Sequence, residues 1–486
     1  MKKESQKESE IEDRPTGATD EDRFTTRDLV ILITVLSGAF MVALDFFIVL
    51  IALPSIQKSL NASSADLQLV IAGYAVANAA ALITGGRLGD IYGRRRLFVI
   101  GMVAFTFFSL ACGLSTSAHA LVLCRFLQGL AGALLMPQVL AHLSSNFSGL
   151  KRQRAFASYA MAMGVAGISG QLLGGALIEM SAVELGWRMC FFINIPVGIA
   201  ATVVGHIVLQ ERVTPSAIDL DIVGMLLVGI GVSSLVWLLT AGREVDSLGV
   251  DVGLLLLCAA CAAVLWHHQP WLERNDHRPM LSPLLLRRSG FLLGAVIVLV
   301  FYSGLASYYF VLGLHLQNTM HLSPLHAGML FGVLGAAFFV SSMLSPKIQK
   351  RVGGNSISWG AAILGSGHFL QLIVFETGLD VWYMLPALAI EGFGIGMVVS
   401  PLFARVLLSV PSLSAGVASG VLSTMQSIGN ALGVAVIALA YSPAPDQTAP
   451  RILQAGFGLS MLCLSLLSAV VCVLASRFTR RVTVAG

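Results

Sequence analysis

Three charged residues stand well inside runs of sequence that are otherwise apolar: Asp45, Arg125 and Glu391. A charge at the centre of a bilayer costs roughly 2.5–3.5 kcal/mol on insertion scales, so such residues face a bundle interior and find partners there. A carboxylate beside an arginine can take and release a proton as its surroundings change. Asp45 and Arg125 therefore read as a proton-exchanging pair or as a static ion pair. Glu391, in Ala389-Ile390-Glu391-Gly392, reads as a second proton site, a counter-charge for a cationic substrate, or a protonated and hydrogen-bonded acid. Asn78, Gln128, Gln138, Tyr308 and Gln317 are further polar groups in apolar runs. They are candidates to line a substrate cavity, or to make ordinary helix–helix hydrogen bonds.

A second kind of signal lies between two apolar runs, at Gly86-Arg87-Leu88-Gly89-Asp90-Ile91-Tyr92-Gly93-Arg94-Arg95-Arg96. Gly86 and Gly93 are suited to a backbone that ends one helix and begins the next. Asp90 is placed to cap a helix or to pair with an arginine. The stretch reads as a conformational latch or as a charged turn outside the hydrocarbon. A fainter copy runs from Pro346 to Gly353, with Lys350 in the place of Asp90.

The elements that position these groups are membrane helices. The chain has 486 residues, 56% of them hydrophobic and only 12% charged. Soluble domains carry about 25% charged residues, which excludes an ordinary soluble protein. The net charge of +4 gives no reason to expect a nucleic-acid partner. Fourteen apolar runs approach the ~20 residues that a bilayer helix needs: 29–53, 67–86, 97–115, 120–143, 155–180, 189–209, 222–241, 252–267, 291–313, 325–345, 356–375, 381–404, 415–440 and 455–476.

With the N-terminus in the cytoplasm, only Lys58, Arg188, Arg243 and Arg451 fall in outer segments, and Arg125 falls inside a run. The other 25 of the 30 basic residues are cytoplasmic, as the positive-inside rule requires. Residues 1–28 read as a disordered cytoplasmic tail, 29–210 as a six-helix half, 211–290 as an inserted helix pair with a linker, 291–476 as a second six-helix half and 477–486 as a cytoplasmic tail. Parallel six-helix repeats are a transporter architecture.

The chemistry of enzymes is missing. There is no GxxxxGK[ST] phosphate loop and no HExxH. Cys258 and Cys261 form a CxxC with no His, Asp or Lys nearby, and read as small residues in a helix. His267 and His268 read as solvated residues at a helix end. No cofactor or metal is expected.

The latch stretch resembles the loop between the second and third helices of the major facilitator superfamily. The pattern matches at Gly86, Asp90, Gly93, Arg94 and Arg95, with Ile91 where a basic residue often stands. The chain as a whole is similar to the fourteen-helix drug:proton antiporter branch. The resemblance rests on Leu44–Pro54 in the first run, Arg125-Phe126-Leu127-Gln128-Gly129 in the fourth, and Gly164, Gly167, Gly170, Gln171, Gly174 and Gly175 in the fifth. It continues through Trp187-Arg188 and Phe191–Gly198 to Ala415–Gly420. Gln171 replaces the usual proline, and the branch generally has no acid at the position of Glu391.

The resemblance implies an all-α polytopic fold of two six-helix halves plus two inserted helices. It implies proton-coupled export of small lipophilic or cationic compounds by alternating access. The protein would act as a monomer in a bacterial inner membrane, with protons as coupling ion, Asp45 as carrier and Arg125 as its tuner. The fifth-run glycines, GxxxG at Gly170 and Gly174 among them, would let this helix slide against the other half. An uptake permease of the same fold, an exporter of a single metabolite, and a membrane enzyme or receptor are the other readings.

Overall fold

In hydrocarbon every backbone N–H and C=O must be satisfied within the protein, which leaves helices for a chain this apolar. The computed structural model describes residues 24–180, 185–211, 221–240, 248–275, 277, 279, 289–408, 410, 415–441 and 450–485. Among them there is no strand. The long helices are α1 (Thr26–Leu60), α2 (Ser64–Tyr92), α3 (Arg94–Gly113), α4 (Ala118–Asn146), α5 (Gly149–Met180), α6 (Asn194–Val208) and α7 (Ile222–Thr240). They continue as α8 (Leu248–Arg274), α9 (Ser289–Leu314), α10 (Pro324–Val352), α11 (Ser356–Glu376), α12 (Leu385–Leu408), α13 (Ala415–Tyr441) and α14 (Pro450–Ala485). Twelve described spans are long and apolar enough to cross a membrane; one of them, Pro324–Glu376, contains both α10 and α11, and Ile222–Leu238 in α7 is a shorter apolar helix.

Several ends differ from the sequence expectation. Capping boxes at Thr25/Asp28 and Ser63/Asp66 start α1 and α2 by answering orphan N–H groups. The helix therefore begins inside the stretch expected to be disordered; residues 1–23 lie outside the described residues. α2 continues past Gly86 to Tyr92, because polar residues extend a helix beyond the hydrocarbon as readily as they end it. Pro346 lies within α10, not at its end. α14 continues as helix through Arg477, Arg480 and Arg481. The sixth run is preceded by a 3-10 turn (Gly186–Arg188) and broken into one helical turn (Met189–Phe192) and α6. Arg188 donates to the carbonyls of Gly113 (2.8 Å) and Ser115 (2.6 Å), answering the C-terminal end of α3.

α1–α6 pack among themselves, as do α9–α14. α7 lies against α2 and α13, and α8 packs on α7. Asp221 fixes the start of α7: it accepts from Gly224 N (2.6 Å), from Gln269 Nε2 (2.6 Å) and from the His268 ring (2.9 Å). His268 is thus bound into the helix pair and not simply solvated.

The two groups of helices meet closely at the end of the bundle opposite the chain's start. There Gln317 Nε2 donates to Ile51 O (2.9 Å), and Leu325 N at the start of α10 donates to Glu179 Oε2 (3.1 Å). Phe47 and Tyr309 stack edge-on, 5.2 Å between ring centres.

The fifth-helix glycines divide between two neighbours. Gly167, Gly170 and Gly174 face α1 of the same group, whereas Gly164 faces Phe338 and Gly175 faces Pro324, both on α10. The GxxxG pair is therefore a packing surface within one half, and only the outer two glycines touch the other. A Cβ at Gly170 would meet Phe47 Cβ at 2.9 Å and the α1 backbone at 3.1 Å. Overpacking of this kind typically costs 1–3 kcal/mol. Gly170→Leu is expected to lower the melting temperature of the purified protein in detergent. Gly73→Ala, at a position with nothing within 4 Å, is expected to leave it unchanged.

Candidate functional site

Asp45 and Arg125 meet in the interior of the first helix group. Arg125 Nη1 lies 2.5 Å from Asp45 Oδ2, and both side chains are 0% exposed. α1 brings the acid, α4 the base, and two amides complete the site. Gln128, one turn from Arg125, accepts from Arg125 Nη1 (2.7 Å) and donates to Asp45 Oδ1 (2.9 Å). Asn194 at the start of α6 donates to the same Oδ1 (2.9 Å) and to Ser109 Oγ (3.0 Å). Arg125 Nε reaches Val70 O (3.3 Å), and its guanidinium lies over the Tyr74 ring, 4.2 Å from the centroid. The carboxylate thus faces one cation and two amide donors.

Glu391 is equally buried but differently answered. Tyr308 OH donates to its Oε2, and Gln371 Nε2 donates both to Oε2 (3.0 Å) and to Tyr308 OH (2.9 Å). No ion pair among the described residues involves it. Among the described residues, α1–α6 and α9–α14 therefore hold one buried carboxyl each, the first with a fixed cation and the second without one.

The other candidate polar residues lie in separate places. Gln128 belongs to the Asp45 cluster and Tyr308 to the Glu391 cluster. Asn78 accepts from Ser427 Oγ (3.1 Å) across the α2–α13 seam and donates to Gly129 O (3.4 Å). Gln138 donates to Gly85 O (2.8 Å) near the latch, and Gln317 closes the far end. Gln171 donates to Phe47 O (2.9 Å), tying α5 to α1. Asn78, Gln128, Gln138, Tyr308 and Gln317 thus make their hydrogen bonds in separate parts of the described bundle. Asn194, Ser109, Tyr74, Gln371 and His368 belong to the two clusters but were not singled out by the sequence. The signal was available, since a polar residue in an apolar run is what marked Gln128.

The latch is a one-residue break. Gly93, at φ +103°, separates α2 from α3, and a Cβ there would also run into the Glu211 carboxylate. That φ is one that L side chains rarely adopt. Gly86 is not part of the break: it sits within α2 against Pro137, while Gly85 and Gly89 make the tight contacts with α4. Arg94 Nε (3.1 Å) and Nη2 (2.9 Å) both bond Asp90 Oδ1, and the Asp90 side chain is 44% exposed. Arg95 lies 3.4 Å from the His206 ring, Arg96 pairs with Glu211 at 3.7 Å, and Arg87 donates to Pro279 O (3.0 Å). The copy after α10 breaks at Gly353, φ +63°. Arg405 of α12 donates to Gly353 O (2.7 Å) and to Gly354 O.

Two helix groups, each with a buried carboxyl, packed about a common seam, define a membrane transporter. Residues 35–434 match the family model described as Major Facilitator Superfamily. Over 407 residues the chain is 33% identical to the probable actinorhodin transporter of Streptomyces coelicolor, covering 83% of this chain and 70% of the relative. It is 32% identical over 439 residues to the tetracenomycin C resistance and export protein of Streptomyces glaucescens (88% and 79%). It is 30% identical over 411 residues to multidrug resistance protein Stp of Mycobacterium tuberculosis (84% and 75%). In fold it is similar to the POT family transporter PepTSo, with TM-score 0.69 at 15% identity over 94% of this chain and 99% of that one. It is also similar to the xylose transporter XylE of E. coli, with TM-score 0.61 at 12% identity (91% and 97%). The chain belongs to the major facilitator superfamily, and it is a multi-pass membrane transporter, not an enzyme.

Removing one member of a buried ion pair costs about 3–5 kcal/mol, because it strands the other charge. Arg125→Met alone is expected to destabilise the protein by that order. Arg125→Met combined with Asp45→Leu is expected to recover most of the loss. Thermal unfolding in detergent, followed for both variants, checks this.

Proposed function

We propose that the protein exports small lipophilic or cationic compounds in exchange for protons, by alternating access. One observation carries the reading: a fully buried Asp45–Arg125 pair, held by side-chain amides, sits inside one of two helix groups that pack together along α5–α10 and α2–α13. Export is supported by relatives whose names include drug resistance and antibiotic export; proton coupling is supported by the carboxylate itself. Asp45 takes the proton when its bond to Arg125 opens, and Gln128 and Asn194 hold the carboxyl in place meanwhile. Arg125 returns to Asp45 once the proton leaves. Glu391 supplies a second carboxyl in the other half.

The mechanical parts fit the same cycle. Fourteen helices cross the membrane when α7 counts as a crossing and the Pro324–Glu376 span as two. α1–α6 and α9–α14 form the moving halves, with α7 and α8 as an inserted pair. The termini, with the latch, lie on the cytoplasmic side of a bacterial inner membrane. The contacts of Gln317 and Glu179 then close the outer face in this conformation. In it, Asp90 bonds only Arg94 among the described residues. In the outward-facing state the Asp90–Arg94 unit locks the two halves, and Gly93 lets α2 and α3 tilt independently. The transporter works as a monomer.

In an efflux-deficient bacterium, a susceptibility panel with and without the gene identifies exported compounds. For any of them, Asp45→Asn is expected to abolish efflux that a protonophore dissipates, and Asp90→Ala to slow it at normal protein level. Protonophore-sensitive efflux by Asp45→Asn would remove its carrier role. A fluorescent-protein fusion at the C-terminus is expected to be bright, as it would be only on the cytoplasmic side.

A further inference from the structure

Cys112 and Cys124 meet across the hairpin of α3 and α4, whose turn covers residues 114–117. Their side chains lie within hydrogen-bonding reach of each other. A separate contact fixes the same neighbourhood. Cys112 Sγ donates to Gln128 Oε1 (3.6 Å), and Cys124 stands one helical turn before Gln128 on the same face of α4. Cys112 is fully buried, Cys124 is half-buried, and both are free thiols.

The turn holds the pair in register. Arg188 binds the carbonyls of Gly113 and Ser115, while Ser115 Oγ donates to Ala111 O (2.9 Å) and reaches Cys124. Gln128 joins the thiols to the ion pair, because the amide that accepts from Cys112 also bonds Arg125 and Asp45. The proposed proton exchange at Asp45 uses neither thiol. Sulfurs this close have little distance to travel to the ~2.05 Å of a disulfide.

We propose that Cys112 and Cys124 are a redox-active dithiol, which an organic disulfide converts into an internal disulfide that ties α3 to α4 beside the Asp45 site. The half-buried Cys124, as thiolate, attacks one sulfur of the reagent, forms a mixed disulfide and releases one thiol. The Cys112 sulfur then attacks Cys124 and displaces the second thiol. One S–S bond breaks and one forms. The two protein sulfurs are oxidised, the two reagent sulfurs are reduced, and the two thiol protons leave on the released thiols. Cys112 thereby loses the hydrogen that it gives to Gln128, and the end of α3 is fastened to α4. The proposed topology places this end of the hairpin at the periplasm, where protein disulfides persist. That the bond slows transport rests on the export reading; that it forms does not.

The test treats the full-length protein in lipid nanodiscs with 4,4′-dithiodipyridine, a lipid-permeant organic disulfide. The remaining thiols are then alkylated with N-ethylmaleimide in denaturant, and the protein is cut with trypsin. Cleavage after Arg96 and Arg125 releases residues 97–125, whose only cysteines are Cys112 and Cys124. Wild type is expected to give this peptide without maleimide and two hydrogens lighter than its reduced form. In Cys124→Ser the peptide is expected to carry one maleimide, on Cys112. Two maleimides on the wild-type peptide, or a pyridyl adduct on Cys124 with Cys112 still alkylated, overturns the proposal. If Cys124→Ser does not fold, Cys124→Ala takes its place. With an exported compound in inverted vesicles, the oxidised wild type is expected to pump at least threefold more slowly and to recover with dithiothreitol, while Cys124→Ser pumps equally in both conditions. A disulfide that leaves the rate unchanged overturns the link to transport. Failure of the export reading looks different: wild type pumps no compound of the susceptibility panel in either condition while residues 97–125 still oxidise.

Discussion

The Asp45–Arg125 pair is the constraint that the first helix group is built around. Two opposite charges taken out of water are tolerable only if they meet each other and most of their remaining hydrogen-bonding atoms are answered; of this pair only Arg125 Nη2 has no hydrogen-bond partner among the described residues, and the guanidinium lies over the Tyr74 ring. That requirement draws together α1 and α4, which supply the charges, and α2, α3 and α6, which supply Val70, Ser109 and Asn194. A small change at the pair is therefore felt by five helices.

Close backbone approach is the second constraint. In an apolar solvent helices gain little from burying apolar surface, and association depends on packing and on hydrogen bonds. Glycines supply the packing here. Gly170 and Gly174 seat α5 on α1, Gly85 and Gly89 seat α2 on α4, and Gly175 brings α5 against α10 where the halves close. Hydrogen bonds at the same junctions, from Gln171 to Phe47, Gln138 to Gly85 and Gln317 to Ile51, hold the register. Between the groups, contacts run along two helix pairs, α5–α10 and α2–α13, and Gln317 and Glu179 add hydrogen bonds at one end.

The two halves repeat in backbone but not in charge. Gly93 and Gly353 both break a helix at positive φ after the second helix of their half. In the first half an acid and an arginine bridge the break; in the second, Arg405 from a neighbouring helix grips the carbonyls instead. The buried carboxyls diverge in the same way, one paired with arginine and one with tyrosine and glutamine. The two breaks thus share a backbone geometry while the side chains that hold them differ.

Much of this was legible in the order of residues. A run of apolar residues long enough to span a bilayer forms a helix whatever its neighbours are, since lipid offers the backbone no other partner. A charge inside such a run must face inward, so Asp45, Arg125 and Glu391 stood out without any structure. The tertiary structure decided what pattern alone does not contain. It chose the partners: Asn194 for Asp45, and Tyr308 with Gln371 in place of a cation for Glu391. It turned Gly170 and Gly174 toward α1, not toward the other half, and carried α2 through Gly86 to break at Gly93. Local sequence sets the free energy of each helix by itself, whereas a partner across 80 or 149 residues is set by how helices pack, and that is a property of all of them together.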